Sequence, residues 1–139
     1  MSDLAAIFSA QGVLATTIPN YRARIQQLEM AQAIAKTIQH QQILVAEAGT
    51  GTGKTFAYLV PALLFGGKVI ISTGTKTLQD QLYDRDIPTI RAALKVPVTV
   101  ALLKGRANYV CHYRLEQTLE SDQYKLTTRE DIIYLGLIE

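Results

Sequence analysis

The octapeptide Ala48-Gly49-Thr50-Gly51-Thr52-Gly53-Lys54-Thr55 restricts the folds open to this chain more than any other feature. It follows G-x-x-x-x-G-K-[ST], with Ala48 in place of the first glycine. In that pattern the loop amides cradle phosphate oxygens, the lysine reaches the β and γ phosphates, and the final hydroxyl coordinates Mg²⁺. Lys54 and Thr55 hold those last two positions. The glycines let the backbone turn tightly and approach a ligand where a Cβ would intervene. The motif therefore implies a nucleoside triphosphate ligand wrapped by residues 48–55, delivered by a strand and followed by a helix.

The flanking sequence fits that context. Ile43-Leu44-Val45-Ala46 is a short apolar run suited to a buried parallel strand. Residues 54–64 carry Phe56, Leu59, Val60, Leu63 and Leu64 on one helical face, and Gly66-Gly67 stops the helix. Such a helix aims its free amides and the positive end of its dipole at the phosphates. Pro61 lies inside it and is expected to kink it or to remove one backbone hydrogen bond.

A length of 139 residues is one domain's worth, enough to bury a core. Hydrophobic residues at 48%, charged residues at 19% and a net charge of +2 exclude a disordered or strongly basic chain. Any nucleic-acid binding must then come from local placement. No apolar run of about 18 residues is present to span a membrane, and the N-terminus lacks the pattern of a signal peptide. The single cysteine, Cys111, makes no internal disulfide and fits a reducing compartment, so a cytoplasmic setting is expected.

Helical and strand periods alternate along the chain. Residues 26–39 place Leu28, Ala31, Ile34, Ala35 and Ile38 on one helical face. Residues 69–73 read as a second strand, residues 76–83 as a helix, the stretch from Asp86 and Pro88 toward Leu94 as another short helix, and residues 98–103 as a third strand. This order predicts an α/β fold with a parallel sheet, helices on both faces and ligands at the carboxyl ends of the strands. Thr128-Arg129-Glu130-Asp131 looks like a helix start, and residues 132–138 are strongly apolar. Such a face needs a cover, so the chain is expected to be a fragment or to meet a partner there.

Four stretches carry a family resemblance: Arg24-Ile25-Gln26-Gln27-Leu28-Glu29-Met30; residues 47–63, including the proline; residues 70–82; and Leu103-Lys104-Gly105-Arg106-Ala107-Asn108-Tyr109-Val110-Cys111. They resemble, in order, the adenine-reading element, motif I, motif Ia and the lead-in to the cluster domain of the iron–sulfur superfamily 2 DNA helicases of the XPD/DinG group. The resemblance implies a P-loop NTPase (RecA-like) helicase motor domain 1, incomplete within residues 1–139, with an iron–sulfur domain starting near residue 105. It implies that Gln27, with Gln26 as the alternative, reads adenine, an edge that a donating and accepting amide suits. Thr73, Thr75, Lys76 and Gln81 would contact single-stranded DNA without reading sequence. Lys104 and Arg106 would touch phosphates. Cys111 would be the first of four ligands to a [4Fe–4S] cluster.

Taken without the family, several of these residues have plainer readings. Thr75 is a helix N-cap, a lone cysteine is ordinarily a small buried apolar residue, and His40 and His112 are surface residues. The chain also lacks the acidic D-E-A-H strand needed to hold Mg²⁺ and orient water. Leu135-Gly136-Leu137-Ile138-Glu139 imitates it but reads as helix. The expectation is therefore the N-terminal ATP-binding part of an ATP-dependent DNA helicase, 5′ to 3′ and in DNA repair, that does not hydrolyse ATP alone. The alternatives are a non-catalytic nucleotide-binding remnant and a small P-loop phosphotransferase.

Overall fold

A computed structural model describes residues 3–120 and divides the chain into two compact units, residues 1–102 and residues 103–139. The first unit is a helical assembly. Helix α1 (Leu4–Phe8) starts where the Asp3 carboxylate accepts from the Ala5 and Ala6 amides at 3.0 and 3.3 Å. Helix α2 (Val13–Thr17) follows a turn at Gly12, where a Cβ would lie 2.2 Å from the Ala6 carbonyl oxygen. Neither helix was expected from the sequence, because five residues are too few to show a period. Both are held by packing, with Phe8 and Leu14 fully buried.

Helix α3 (Ile25–Gln39) and helix α4 (Lys54–Phe65) match the expected helices within a residue and pack extensively on each other. Gly66 ends α4 in the left-handed conformation that glycine adopts without strain. Pro61 is buried inside α4.

Helix α5 (Lys76–Gln81) and helix α6 (Ile87–Leu94) were expected as two helices with a break. They are joined instead by a π-helical turn (Leu82–Asp86), closed by the Ile87 amide donating to the Leu82 carbonyl. Pro88 does not interrupt this run, because it sits in the first turn of α6, where an amide donor is not required. The core gathers Ala31, Ala57, Leu59, Val60, Leu82, Ile87, Ile90 and Ala93 with the two residues from α1 and α2.

The three expected strands are the main correction. Residues 43–46, 69–73 and 98–103 form no ladder among the described residues, and the core is built by helices alone. Ile43 and Val45 are 93% exposed and Ile70 96% exposed. The physical reason is that a parallel strand satisfies none of its own backbone groups. An apolar run gives strand propensity, and the pairing must come from neighbours that are not in place here.

In the second unit a 3₁₀ turn (Arg106–Asn108) leads into helix α7 (His112–Glu120). The Asn108 side chain donates to the Gly105 carbonyl at 3.0 Å, and the Tyr109 hydroxyl accepts from the Lys104 amide at 2.8 Å. The apolar residues 132–138 and the imitation of an acidic strand lie outside the described residues.

Candidate functional site: a phosphate loop tied to the preceding helix

The loop at residues 48–53 is shaped by two left-handed glycines, Gly51 at φ 75° and Gly53 at φ 82°. The second hands the chain directly to α4, with Gly53 as its N-cap and no side chain capping the first amides. Those amides and the helix dipole therefore remain for an anion. A Cβ built at Gly49 or Gly51 would meet nothing within 4 Å, so the loop backbone there borders open space of the kind a phosphate requires.

Two side chains brace the loop from within. Thr52 Oγ1 donates to the Gly49 carbonyl at 2.9 Å. Lys54 Nζ donates to the carbonyls of Ala48 and Gly49, both at 2.6 Å. The ammonium thus holds carbonyl oxygens where a triphosphate would offer stronger, charged acceptors. Thr55, one residue into α4, is half-buried beside it.

Two further side chains reach the loop from the start of α3. Arg24 Nη1 donates to the Gly51 carbonyl. Gln27, only 3% exposed, donates through Nε2 to the Gly53 carbonyl at 2.9 Å. The opposite end of the same amide, Oε1, lies 3.0 Å from the Tyr21 hydroxyl, which is also 3.2 Å from the Phe8 carbonyl. One hydroxyl proton serves one of these acceptors at a time. Burial pushes the Tyr21 phenol above its ordinary 10.0, and the nearby Arg24 charge partly opposes that.

Gln27, expected to read adenine, is therefore engaged at both ends under the loop, whereas Gln26 is exposed. Binding a base would require the Gln27 amide to give up or share one of these partners. Tyr21 was not singled out in the sequence, where a lone tyrosine before a helix carries no pattern.

The expected polynucleotide segment lies at residues 73–81. Thr75 caps α5, its Oγ1 accepting from the Leu78 amide at 3.2 Å, as its sequence position indicated. Thr73 Oγ1 donates to the Thr75 carbonyl at 3.1 Å, and Lys76 is exposed. Gln81 turns to Asp86, with Nε2 2.8 Å from Oδ2. Asp86 is 5% exposed and also meets Arg85 Nε at 2.9 Å through Oδ1. Its charge is also felt by Tyr58 of α4. Burial raises that phenol above 10.0, a hydrogen bond with Thr55 draws it back, and the Asp86 carboxylate raises it further. Asp86 was also missed, although its signal was legible: it occupies the i+4 position between Leu82 and Ile90 on an otherwise apolar stripe.

In the second unit Arg106 is exposed and Cys111 is an exposed free thiol. No cluster of His, Cys, Asp or Glu able to hold a metal ion occurs among the described residues. The sequence contains one cysteine, so these 139 residues supply at most one of the four thiolates of a [4Fe–4S] cluster and do not fit that group by themselves. No helix among the described residues is long and apolar enough to cross a membrane.

Comparison with known proteins gives the family. Residues 24–134 match the family described as DEAD/DEAH box helicase. The chain is 58% identical over 118 residues to ATP-dependent DNA helicase YoaA of Haemophilus influenzae, covering 85% of this chain and 18% of that protein. It is 54% identical over 129 residues to ATP-dependent DNA helicase YoaA of Escherichia coli, covering 92% and 20%. It is 38% identical over 130 residues to 3'-5' exonuclease DinG of Bacillus subtilis, covering 88% and 14%. The chain thus spans about a fifth or less of the length of these relatives. No solved structure matches it.

Proposed function

The chain belongs to the DEAD/DEAH box helicase family, and from that premise we propose that it is the N-terminal ATP-binding part of an ATP-dependent DNA helicase that acts in DNA repair. Membership carries a RecA-like P-loop fold. The finer proposal is a parallel sheet with helices on both faces, in which residues 43–46, 69–73 and 98–103 gain their ladder partners and cover the side chains now exposed at Ile43, Val45 and Ile70.

The observation that carries the reading is the phosphate loop, with Gly53 left-handed at the start of α4 and Lys54 turned back onto the loop carbonyls. In the proposed mechanism the β and γ phosphates replace Ala48 and Gly49 as partners of Lys54, while amides from Gly49 to Thr55 surround the phosphate oxygens. Thr50 and Thr52 complete the cradle. Mg²⁺, when bound, neutralises phosphate charge, and Thr55 is the hydroxyl in this chain placed to hold it. Gln27 and Arg24 keep the loop in shape, and Gln27 turns one amide edge to adenine when the base enters.

Single-stranded DNA runs along Thr73, Thr75, Lys76 and Gln81, with Lys104 and Arg106 adding phosphate contacts. Cys111 contributes one thiolate to an iron–sulfur cluster in a full-length protein with three more. The acidic residue that orients water is not among these residues, so this segment alone binds nucleotide without hydrolysing it. A cytoplasmic setting is consistent with a DNA substrate and a free thiol.

The test is ATP hydrolysis by the full-length gene product with and without single-stranded DNA. Stimulation by DNA supports a helicase motor. Phosphate transfer to a small acceptor, indifferent to DNA, would identify a phosphotransferase instead, and nucleotide binding with no turnover in either condition would leave a remnant.

A further inference from the structure

The orientation of the Gln27 amide follows from its two partners. A backbone carbonyl only accepts, so the edge 2.9 Å from the Gly53 carbonyl is the NH₂ group. The other edge is then the oxygen Oε1, and the Tyr21 hydroxyl 3.0 Å from it is the donor. Gln27 is 3% exposed, so water has little access to replace that donor. Tyr21 is aimed by its own backbone. Its amide donates to the Ile18 carbonyl at 3.2 Å and closes the turn Ile18-Pro19-Asn20-Tyr21. Proline in the second position and a left-handed asparagine in the third, at φ 58°, are the pattern of a type II turn. The ring packs against the core, and the hydroxyl also lies 3.2 Å from the Phe8 carbonyl at the end of α1. The phenol is held above 10.0 chiefly by burial, so its proton is present at neutral pH.

We propose that Tyr21 is a positioning residue of the nucleotide site: by donating to Oε1 it locks the Gln27 amide with NH₂ on the phosphate loop, and so fixes which edge a base meets. The proposal rests on the reading of Gln27 as the adenine contact. An amide has two donor hydrogens and two acceptor lone pairs. Gly53 and Tyr21 take one of each, and one of each remains. That remainder complements adenine, which offers the N7 acceptor and the N6 amino donor; guanine offers acceptors at both N7 and O6 and leaves the spare lone pair facing an acceptor. A locked amide therefore discriminates between the two bases. Without the hydroxyl, Oε1 is buried with no donor, and the amide gains by rotating away from Gly53. Arg24 holds the Gly51 carbonyl independently, so the loop keeps one of its two ties to α3 when the Tyr21 hydroxyl is lost. The effect falls on base discrimination and affinity rather than on turnover.

The experiment is Tyr21→Phe in the full-length gene product, with Gln27→Ala as its reference. ATP and GTP affinities are measured by displacement of a fluorescent nucleotide, kcat and KM for ATP with poly-dT present, and thermal stability alongside. The expected result is ATP affinity weakened about tenfold, the upper measure of one neutral hydrogen bond, with KM raised and kcat little changed. The preference for ATP over GTP should fall by about the same factor. Placing 4-aminophenylalanine at position 21 returns an N–H donor and should restore the preference. A folded Tyr21→Phe that keeps the wild-type preference while Gln27→Ala loses it overturns the proposal, even if its melting temperature falls, because a purely structural tyrosine lowers stability without moving the ratio. If Tyr21→Phe does not fold, 4-fluorophenylalanine at position 21 decides, since it fills the place of the hydroxyl and donates nothing: loss of the preference supports the proposal and retention overturns it. A Gln27→Ala protein that keeps the wild-type preference removes the adenine reading, and the proposal with it, an outcome distinct from the retention of preference by Tyr21→Phe alone.

Discussion

Gln27 donates through Nε2 to the Gly53 carbonyl at 2.9 Å, tying the first turn of α3 to the residue that starts α4. The approach is so close that a Cβ on Gly53 would lie 2.1 Å from that nitrogen. Gly53 is also left-handed, at φ 82°. Gly53→Ala therefore meets two obstacles. The backbone strain alone costs about 1–2 kcal/mol, and the clash displaces Gln27. Nucleotide binding, followed by fluorescent ATP titration, is expected to be lost. The double variant Gly53→Ala with Gln27→Ala should recover part of the stability and little of the binding, because removing the glutamine relieves the clash and leaves the dihedral strain.

Gln27 itself can be tested by the order of two substitutions. Gln27→Ala removes the amide from both Gly53 and Tyr21. The Gly53 carbonyl keeps the Ala57 amide at 3.2 Å, and the Tyr21 hydroxyl keeps the Phe8 carbonyl, so neither is orphaned. A loss of about 1–3 kcal/mol in stability is expected from the buried hydrogen bonds. Gln27→Glu at neutral pH should weaken ATP binding more than Gln27→Ala, since it turns a carboxylate oxygen toward a carbonyl and adds negative charge under a phosphate site. Equal affinities for the two variants would show that the amide does not shape the loop.

The parts of this arrangement that were legible in the sequence are those set by local chemistry. The loop, α3, α4 and the Thr75 cap depend on residues a few positions apart, and they lie where spacing and capping place them. The Gln27 to Gly53 bond spans 26 positions, and no local pattern reveals it. Asp86 did leave a trace, as an acid on an apolar stripe, but its pairing with Gln81 across the π turn has no local signature. The three expected strands form no ladder among the described residues. Ile43, Val45 and Ile70 have strand propensity, and propensity cannot supply the neighbouring backbone that a parallel sheet requires.

Thr75 separates capping from DNA contact. Its hydroxyl accepts from the Leu78 amide, so Thr75→Ala should destabilise α5 by about 1 kcal/mol. Aspartate caps as well as threonine but brings a negative charge. Thr75→Asp should therefore keep thermal stability near wild type while weakening single-stranded DNA binding, most at low salt. DNA affinity unchanged in Thr75→Asp would assign Thr75 to capping alone.

Alkaline pH should unfold the first unit through its tyrosines. Tyr21 and Tyr58 both have phenols raised above 10.0, chiefly by burial. An unfolded chain thus loses these protons at lower pH than the folded one. The sign follows: their contribution is fully present below about pH 10 and is lost as pH rises beyond it toward the folded values. Stability measured by denaturant titration should be flat with respect to these groups near neutrality and fall above pH 10. Tyr21→Phe with Tyr58→Phe should flatten that fall, and an identical alkaline slope in the double variant would assign it to other groups.

Lys54 has two sets of partners, and its substitution should expose both. Without nucleotide its ammonium donates to the Ala48 and Gly49 carbonyls at 2.6 Å, bending the loop over its own lysine. Triphosphate offers charged acceptors in exchange, and charge-assisted hydrogen bonds are about twice as strong as neutral ones. Lys54→Met keeps the aliphatic stem and removes the charge. Loss of one such bond to phosphate corresponds to about 1.5–3 kcal/mol, or roughly 10- to 150-fold in ATP affinity. The same variant frees the Ala48 and Gly49 carbonyls, which should speed hydrogen exchange of the loop amides in the nucleotide-free protein. If affinity falls and loop exchange does not change, the contacts to Ala48 and Gly49 do not hold the loop, and Lys54 serves the phosphates alone.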